Sequence, residues 1–256
     1  VLAAGRNVLY ITLEMAEERI AERIDANLLN IDIDQLKDLP RAMYDKRISK
    51  IRDKTDGKLI VKEYPTASAH ANHFKSLLNE LYLKKQFRPD IIFVDYLNIC
   101  ASSRFKPGGS VNSYTYVKAI AEELRGLAVE FNLPVVTATQ TTRSGYSNTD
   151  VDLTDTSESF GLPATADFMF ALISTEELEQ LNQLMVKQLK NRYNDPTLYK
   201  RFMIGVDRKK MRLFNLEQSA QTHIVDSGSR PEVDDSIQDF SFSKMFQNKD
   251  FSGIKI

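Results

Sequence analysis

An α/β fold organised on a mostly parallel sheet is the class this 256-residue chain predicts. Two observations carry that expectation. Short apolar runs alternate with helical stripes through roughly the first half of the chain, and one of the runs, IIFV at 91–94, is fully apolar. Strands covered on both faces read that way, and parallel neighbours need a crossover between them, usually a helix. Composition bounds the class further. Apolar residues make up 42% and charged residues 27%, which excludes a disordered or fibrous chain. With 34 basic against 35 acidic residues, a surface coated all round for nucleic acid is excluded, although a local basic strip is not.

The elements follow in order. Residues 1–5 (VLAAG) read as the last turn of a helix stopped by glycine, so the chain opens in the middle of a pattern. Residues 7–13 (NVLYITL) read as a buried strand. Residues 16–29 carry Ile20, Ile24 and Leu28 at helical spacing, and 41–55 read as a polar, exposed helix. A strand at 59–64 (LIVKEY) precedes a helix at 70–85 with Phe74, Leu77, Leu78 and Leu81 on one side. The apolar strand 91–94 (IIFV) delivers Asp95. A long helix at 113–131 turns Val117, Ile120, Leu124, Leu127 and Ala128 inward, and a buried strand at 135–138 runs toward Gln140. After Asp167 the pattern changes to strands at 168–173, 184–189, 201–206 and 213–216, an antiparallel meander appended to the α/β core.

Charge is uneven in this second part. Residues 150–179 hold eight acidic residues and no basic one, whereas 187–212 hold nine basic residues against Asp195 and Asp207. Residues 226–256, rich in Ser, Asp, Asn and Gln, read as a mobile tail. The single cysteine, Cys100, excludes a disulfide framework and a multi-cysteine metal site, and its place on an apolar strand end makes it a core residue. His70, His73 and His223 form no ligand pattern and read as surface or capping residues. No apolar run approaches the roughly 18 residues of a membrane span and no signal peptide opens the chain, so a cytoplasmic setting is expected.

Three polar residues sit just past three apolar strands: Glu14, Asp95 and Gln140. Polar residues commonly end strands, so each alone says little. In an open parallel sheet, however, ligands bind at the carboxyl ends of the strands. An aspartate there can support magnesium through water, a glutamate can orient and deprotonate a water, and a glutamine can touch a terminal phosphate. Together they suit a nucleoside-triphosphatase.

The stretches ITLEMAEERIAERI, IIFVDYLNI, SYTYVKAIAEELRGLAVEFNLPVVTATQ and GLPATADFMFALI resemble the RecA-like motor domain of DnaB-type replicative DNA helicases, in particular those of T-even-type bacteriophages. The resemblance spans roughly residues 1–215. It implies a RecA-like P-loop ATPase core over residues 1–225, followed by the tail at 226–256. It also implies an ATP- and Mg2+-dependent helicase moving 5′ to 3′ on single-stranded DNA as a homo-hexamer, with primase and a helicase loader as partners, in the cytoplasm of an infected bacterium. Under it, Glu14 matches the glutamate that activates the lytic water, Asp95 the Walker B aspartate that supports magnesium, and Gln140 the glutamine linking the γ-phosphate to the DNA loops. Lys190 and Arg192 (LKNRY) match the Lys-x-Arg pair that reaches into the neighbouring subunit's ATP site.

DNA contacts in the family come from two loops, here residues 101–112 with Arg104 and Lys106, and residues 141–161 with Arg143 and the SESFG stretch. Many bacterial relatives carry arginine where this chain has Ser157. Backbone N–H groups around Glu158, Phe160 and Gly161 can still bind a phosphate. No G-x-x-x-x-G-K-[ST] occurs in the sequence. The family's P-loop and its strand precede the region matching residues 1–5, so the stretch alone is expected to bind ATP weakly and not to hydrolyse it. Two alternatives stand beside the helicase: another RecA-like ATPase such as a recombinase or a KaiC-like regulator, and a non-catalytic assembly module.

Overall fold

The computed structural model describes residues 1–105, 111–141, 161–195, 197–217 and 221. Within them two four-stranded sheets form. The first contains β1 (Val8–Thr12), β2 (Leu59–Glu63), β3 (Ile91–Asp95) and β4 (Val135–Thr137), all parallel, in the order β2-β1-β3-β4. Between β1 and β2 lie α1 (Glu17–Leu29), the single turn α2 (Ile33–Leu36) and α3 (Arg41–Arg52). Helix α4 (Ala71–Lys85) connects β2 to β3, and α5 (Ser113–Phe131) connects β3 to β4. Asn112 caps α5, its side chain accepting from the Thr115 N–H at 2.8 Å, and Asn132 closes it in the left-handed region at φ 50°.

One face of this sheet carries the core. Leu9 and Ile11 of β1 and Ile92 and Val94 of β3 point to the same side by strand alternation. They cluster with Phe74, Leu77, Leu78 and Leu81 of α4 and with Val117, Ile120, Leu124 and Leu127 of α5. Both helical stripes are the ones the sequence predicts, except that Ala128 of α5 is only half-buried. Cys100 joins the same cluster, and burial pushes its thiol up to about 12, so it is inert at neutral pH.

The second sheet is an antiparallel meander, as predicted. A short helix, α6 (Gly161–Thr165), leads into β5 (Phe168–Ile173). After it come α7 (Glu176–Gln180), β6 (Gln183–Asn191), β7 (Arg201–Asp207) and β8 (Arg212–Asn215), with the strands in the order β5-β6-β7-β8. The turn between β7 and β8 is tied to the first half of the chain. The Ile33 N–H donates to the Lys209 carbonyl at 2.8 Å, and Asn27 Nδ2 donates to the Met211 carbonyl at 2.6 Å.

The structure corrects several expectations. The turn at the start is a 3-10 turn, Leu2–Ala4, closed by Gly5 at φ 77°, a conformation glycine adopts without steric penalty. Asp95 is the last residue of β3 rather than the residue beyond it. Helices α2, α6 and α7 are too short to show an apolar period and were not anticipated. The strand expected to be buried at 135–138 is not: Val136 is 39% exposed and Thr137 is exposed, because among the described residues β4 pairs only with β3. β4 and β5 do not pair with each other, and the strand that the family resemblance puts between them has no counterpart among the described residues. The tail at 226–256 and His223 lie outside the described residues. Among the described residues no helix is long and apolar enough to cross a membrane.

The core assignment gives a direct test. Phe74 is completely buried, so Phe74→Ala should lower unfolding free energy by about 3–5 kcal/mol in chemical denaturation. Val129→Ala, at a position 72% exposed on α5, should shift it by no more than about 0.5 kcal/mol.

Candidate active site

Register brings the sequence-predicted triad to one edge. Thr12 pairs with Asp95 and Val94 pairs with Thr137, so β1, β3 and β4 end nearly flush. The ladder continues past the strand ends: the Leu13 N–H donates to the Asp95 carbonyl at 2.9 Å and the Leu97 N–H to the Ala138 carbonyl at 3.1 Å. Glu14, Asp95 and Gln140 therefore leave three adjacent strands at the same carboxyl edge. With strands about 4.8 Å apart, the outer two leave the sheet roughly 10 Å from each other.

Each of the three is held differently. Glu14 is exposed on a turn fixed from beneath by Thr12, a completely buried residue. The Thr12 hydroxyl donates to the Met15 carbonyl at 2.8 Å and accepts from the Met15 N–H at 3.1 Å. Asp95 accepts a hydrogen bond on Oδ2 from the Tyr10 hydroxyl at 2.9 Å. Burial, and then that bond to Asp95, raises the Tyr10 phenol above its ordinary range, so it remains a donor at neutral pH. Gln140 Nε2 donates to the Tyr96 hydroxyl at 3.3 Å, and Thr139 Oγ1 donates to Asn98 Oδ1 at 2.8 Å. The segment after β3 thus holds the segment after β4.

This edge suits magnesium only in the company of a nucleotide. Among the described residues no group of three or more His, Cys, Asp or Glu side chains could hold a metal by itself. Magnesium is commonly bound by one or two carboxylates plus waters and substrate phosphates. Asp95, with one oxygen engaged by Tyr10, is a hard oxygen donor of that kind.

Lys190 and Arg192 sit at the end of β6, against the C-terminal end of α6. Lys190 Nζ donates to the carbonyl of Pro163 and, at 3.4 Å, to that of Ala164. Arg192 Nη1 donates to Asp167 Oδ1 at 2.7 Å and Nη2 to the Ala164 carbonyl at 3.1 Å. The other Asp167 oxygen accepts from Arg125 Nη1 at 2.7 Å. Arg125, by hydrogen bond and charge, and then Arg192 hold the Asp167 carboxyl below its usual range, while burial and then the charge of Arg192 lower the Lys190 ammonium.

The family model described as DnaB-like helicase C terminal domain matches residues 1–220. The chain belongs to that family. It is 51% identical over 222 residues to the DnaB-like replicative helicase of Enterobacteria phage T4, covering 86% of this chain and 46% of that protein. It is 28% identical over 201 residues to the probable plasmid replicative DNA helicase of Chlamydia psittaci, covering 75% and 42%. The chain thus spans less than half the length of either relative. Two solved structures share the fold with a TM-score of 0.67 at 18% identity, each covering 84% of this chain. One is a DnaB-like replicative helicase described with its interactions with primase, 52% of which is covered; the other is the ATPase domain of G40P, 76% of which is covered. The fold is the RecA-like one expected from the sequence.

In this DnaB-like domain the start of the first candidate DNA loop is clamped to α5. Glu123 accepts from Ser102 Oγ at 2.6 Å, from the Ser103 N–H at 2.9 Å and from Ser103 Oγ at 2.9 Å. Burial alone would raise the Glu123 carboxyl, but these bonds outweigh it and the net shift is downward. Arg104, proposed from sequence as a DNA contact, pairs here with Glu122. Gly161 begins α6 and is buried. Lys106, Arg143, Ser157, Glu158 and Phe160 lie outside the described residues. Tyr10, Glu123, Asp167 and Arg125 were missed, since nothing in the sequence pairs residues so far apart. The one available signal was Asp167, a lone acid directly before the apolar run FMFALI.

Because Glu123 is an ionised acceptor for several donors, Glu123→Gln should loosen residues 102–104. Hydrogen bonds to charged groups are worth about 1.5–3 kcal/mol, so amide exchange at Ser103 should accelerate roughly 10- to 100-fold by NMR or mass spectrometry. Unchanged protection would show that the clamp lies elsewhere.

Proposed function

We propose that this chain is the ATPase motor of a replicative DNA helicase, which hydrolyses ATP with Mg2+ and moves 5′ to 3′ along single-stranded DNA as a homo-hexameric ring during phage replication. The observation that carries this reading is the meeting of Glu14, Asp95 and Gln140 at one carboxyl edge, in a chain that belongs to the DnaB-like family. Glu14, exposed at the strand end, orients the attacking water and accepts its proton. Asp95 supports magnesium through water, and when bound the ion supplies charge neutralisation at the phosphates. Tyr10 keeps one Asp95 oxygen fixed meanwhile. Gln140 touches the γ-phosphate and, through Tyr96, shares its position with the segment that leads to the first DNA loop.

Lys190 and Arg192 complete the neighbouring subunit's site, where a planar guanidinium can bridge phosphate oxygens that carry transition-state charge. Arg104, Lys106 and Arg143, with backbone groups around Ser157, Glu158, Phe160 and Gly161, contact the DNA strand. Arg104 exchanges Glu122 for a phosphate when it does so. Primase and a helicase loader are the expected partners in the host cytoplasm, and residues 1–225 act as one motor domain ahead of the tail at 226–256.

These roles are tested in the polypeptide that carries this domain together with a phosphate-binding loop. Glu14→Gln should leave ATP affinity nearly unchanged and lower kcat about 10²-fold or more, since a general base commonly contributes 10²–10⁴. A kcat within threefold of wild type removes Glu14 from that role. Arg192→Ala should abolish hydrolysis on its own, yet regain part of it when mixed with Glu14→Gln subunits, because each variant damages a different half of a shared site. No recovery at any mixing ratio means that Arg192 does not act in trans.

A further inference from the structure

We infer that Asp167 is a positioning residue that aims Arg192, with Arg125 as its brace. The inference rests on the reading that Arg192 acts at a neighbouring ATP site, and it adds the device that holds the guanidinium ready.

Arg192 lies just beyond the end of β6 in a polar stretch, NRYND, where a long side chain would otherwise sample many rotamers. It is held at three points instead. Its backbone N–H donates to the Asp167 carbonyl at 2.9 Å, Nη1 donates to Asp167 Oδ1 at 2.7 Å, and Nη2 donates to the Ala164 carbonyl at 3.1 Å. Asp167 is fixed in turn. Its Oδ2 accepts from Arg125 Nη1 at 2.7 Å, and the same nitrogen donates to the Thr165 carbonyl at 2.9 Å. Arg125 projects from the middle of α5, whose flanking Leu124 and Leu127 are buried in the core. The chain of contacts therefore runs from the rigid core through Arg125 and Asp167 to Arg192.

The geometry distinguishes aiming from inactivation. A guanidinium has five N–H groups in a planar fork, and among the described residues the Arg192 side chain donates one from each terminal nitrogen. The others remain for a ligand, and the side chain is 44% exposed. The charge balance points the same way. Arg125 and Arg192 share the one Asp167 carboxylate, and the other acids lining the same cleft, Glu122 and Glu130, pair with Arg104 and Lys75, so Asp167 does not neutralise the two guanidinium groups it holds. Removing Asp167 would leave Arg192 charged but unaimed, beside two other cations that repel it.

The test uses the full-length helicase with Asp167→Asn, Asp167→Ala, Asp167→Glu and Arg192→Ala, measuring kcat, ATP affinity and ring assembly by sedimentation. The expected result is a kcat lowered about 10- to 100-fold in Asp167→Asn and Asp167→Ala, with ATP affinity and assembly unchanged and partial recovery in Asp167→Glu. Mixing Asp167→Asn with Glu14→Gln subunits should restore hydrolysis, as a defect confined to the trans half of the site requires. If Arg192→Ala retains wild-type kcat, the reading of Arg192 itself fails. If Arg192→Ala is inactive while Asp167→Asn behaves as wild type or faster, the positioning role is overturned. Loss of assembly in the near-isosteric Asp167→Asn overturns it too, in favour of a structural role.

Discussion

The parallel register of β1, β3 and β4 is the constraint on which the rest of this domain depends. Pairing Thr12 with Asp95 and Val94 with Thr137 makes three strands end together, and only then do Glu14, Asp95 and Gln140 share an edge. A slip of one residue would turn every side chain on a strand to the opposite face. Leu9, Ile11, Ile92 and Val94, all almost completely buried, make such a slip costly, because each buried aliphatic side chain contributes about 1.5–3 kcal/mol relative to exposure. The core thus fixes the site indirectly: packing against α4 and α5 sets register, and register sets chemistry.

The cationic station at Lys190 and Arg192 is organised on a different principle. Little of it is packed into the core. It is a set of hydrogen bonds among Arg125, Asp167, Arg192 and the carbonyls ending α6. Exposed ion pairs typically contribute about 0–1 kcal/mol to stability, so this network's value lies in orientation. Asp167 is depressed below its unfolded range, so whatever stability it contributes is complete above about pH 4 and lost as pH falls through the lowered folded value. Asp167 therefore stays ionised through the neutral range.

Legibility in the sequence followed distance along the chain. The stripe of α4, the stripe of α5 and the apolar strand delivering Asp95 are local patterns, and all were readable. The triad was readable too, since a strand followed by a polar residue is a local event and parallel topology supplies the rest. The exposure of β4 was not. Val135–Thr137 is apolar enough to read as buried, but its exposure depends on which strands flank it. Tyr10 holding Asp95 and Asp167 joining Arg125 to Arg192 span separations of 85, 42 and 25 residues, where periodicity carries no information. The roles of Lys190 and Arg192 came from family resemblance alone, because two cations at a strand end otherwise read as solvated charges.

The most direct measurement is a structure of the full-length polypeptide with Mg2+ and a non-hydrolysable ATP analogue. The expected result has the terminal phosphate lying against the carboxyl edge of β1, β3 and β4. Glu14 should lie within one water of the γ-phosphorus, Asp95 on the magnesium side, and Arg192 of an adjacent subunit should reach the same phosphate from its Asp167 support. A nucleotide bound away from that edge, or an edge in which Glu14 and Asp95 face different ligands, would contradict the proposed motor chemistry at its centre.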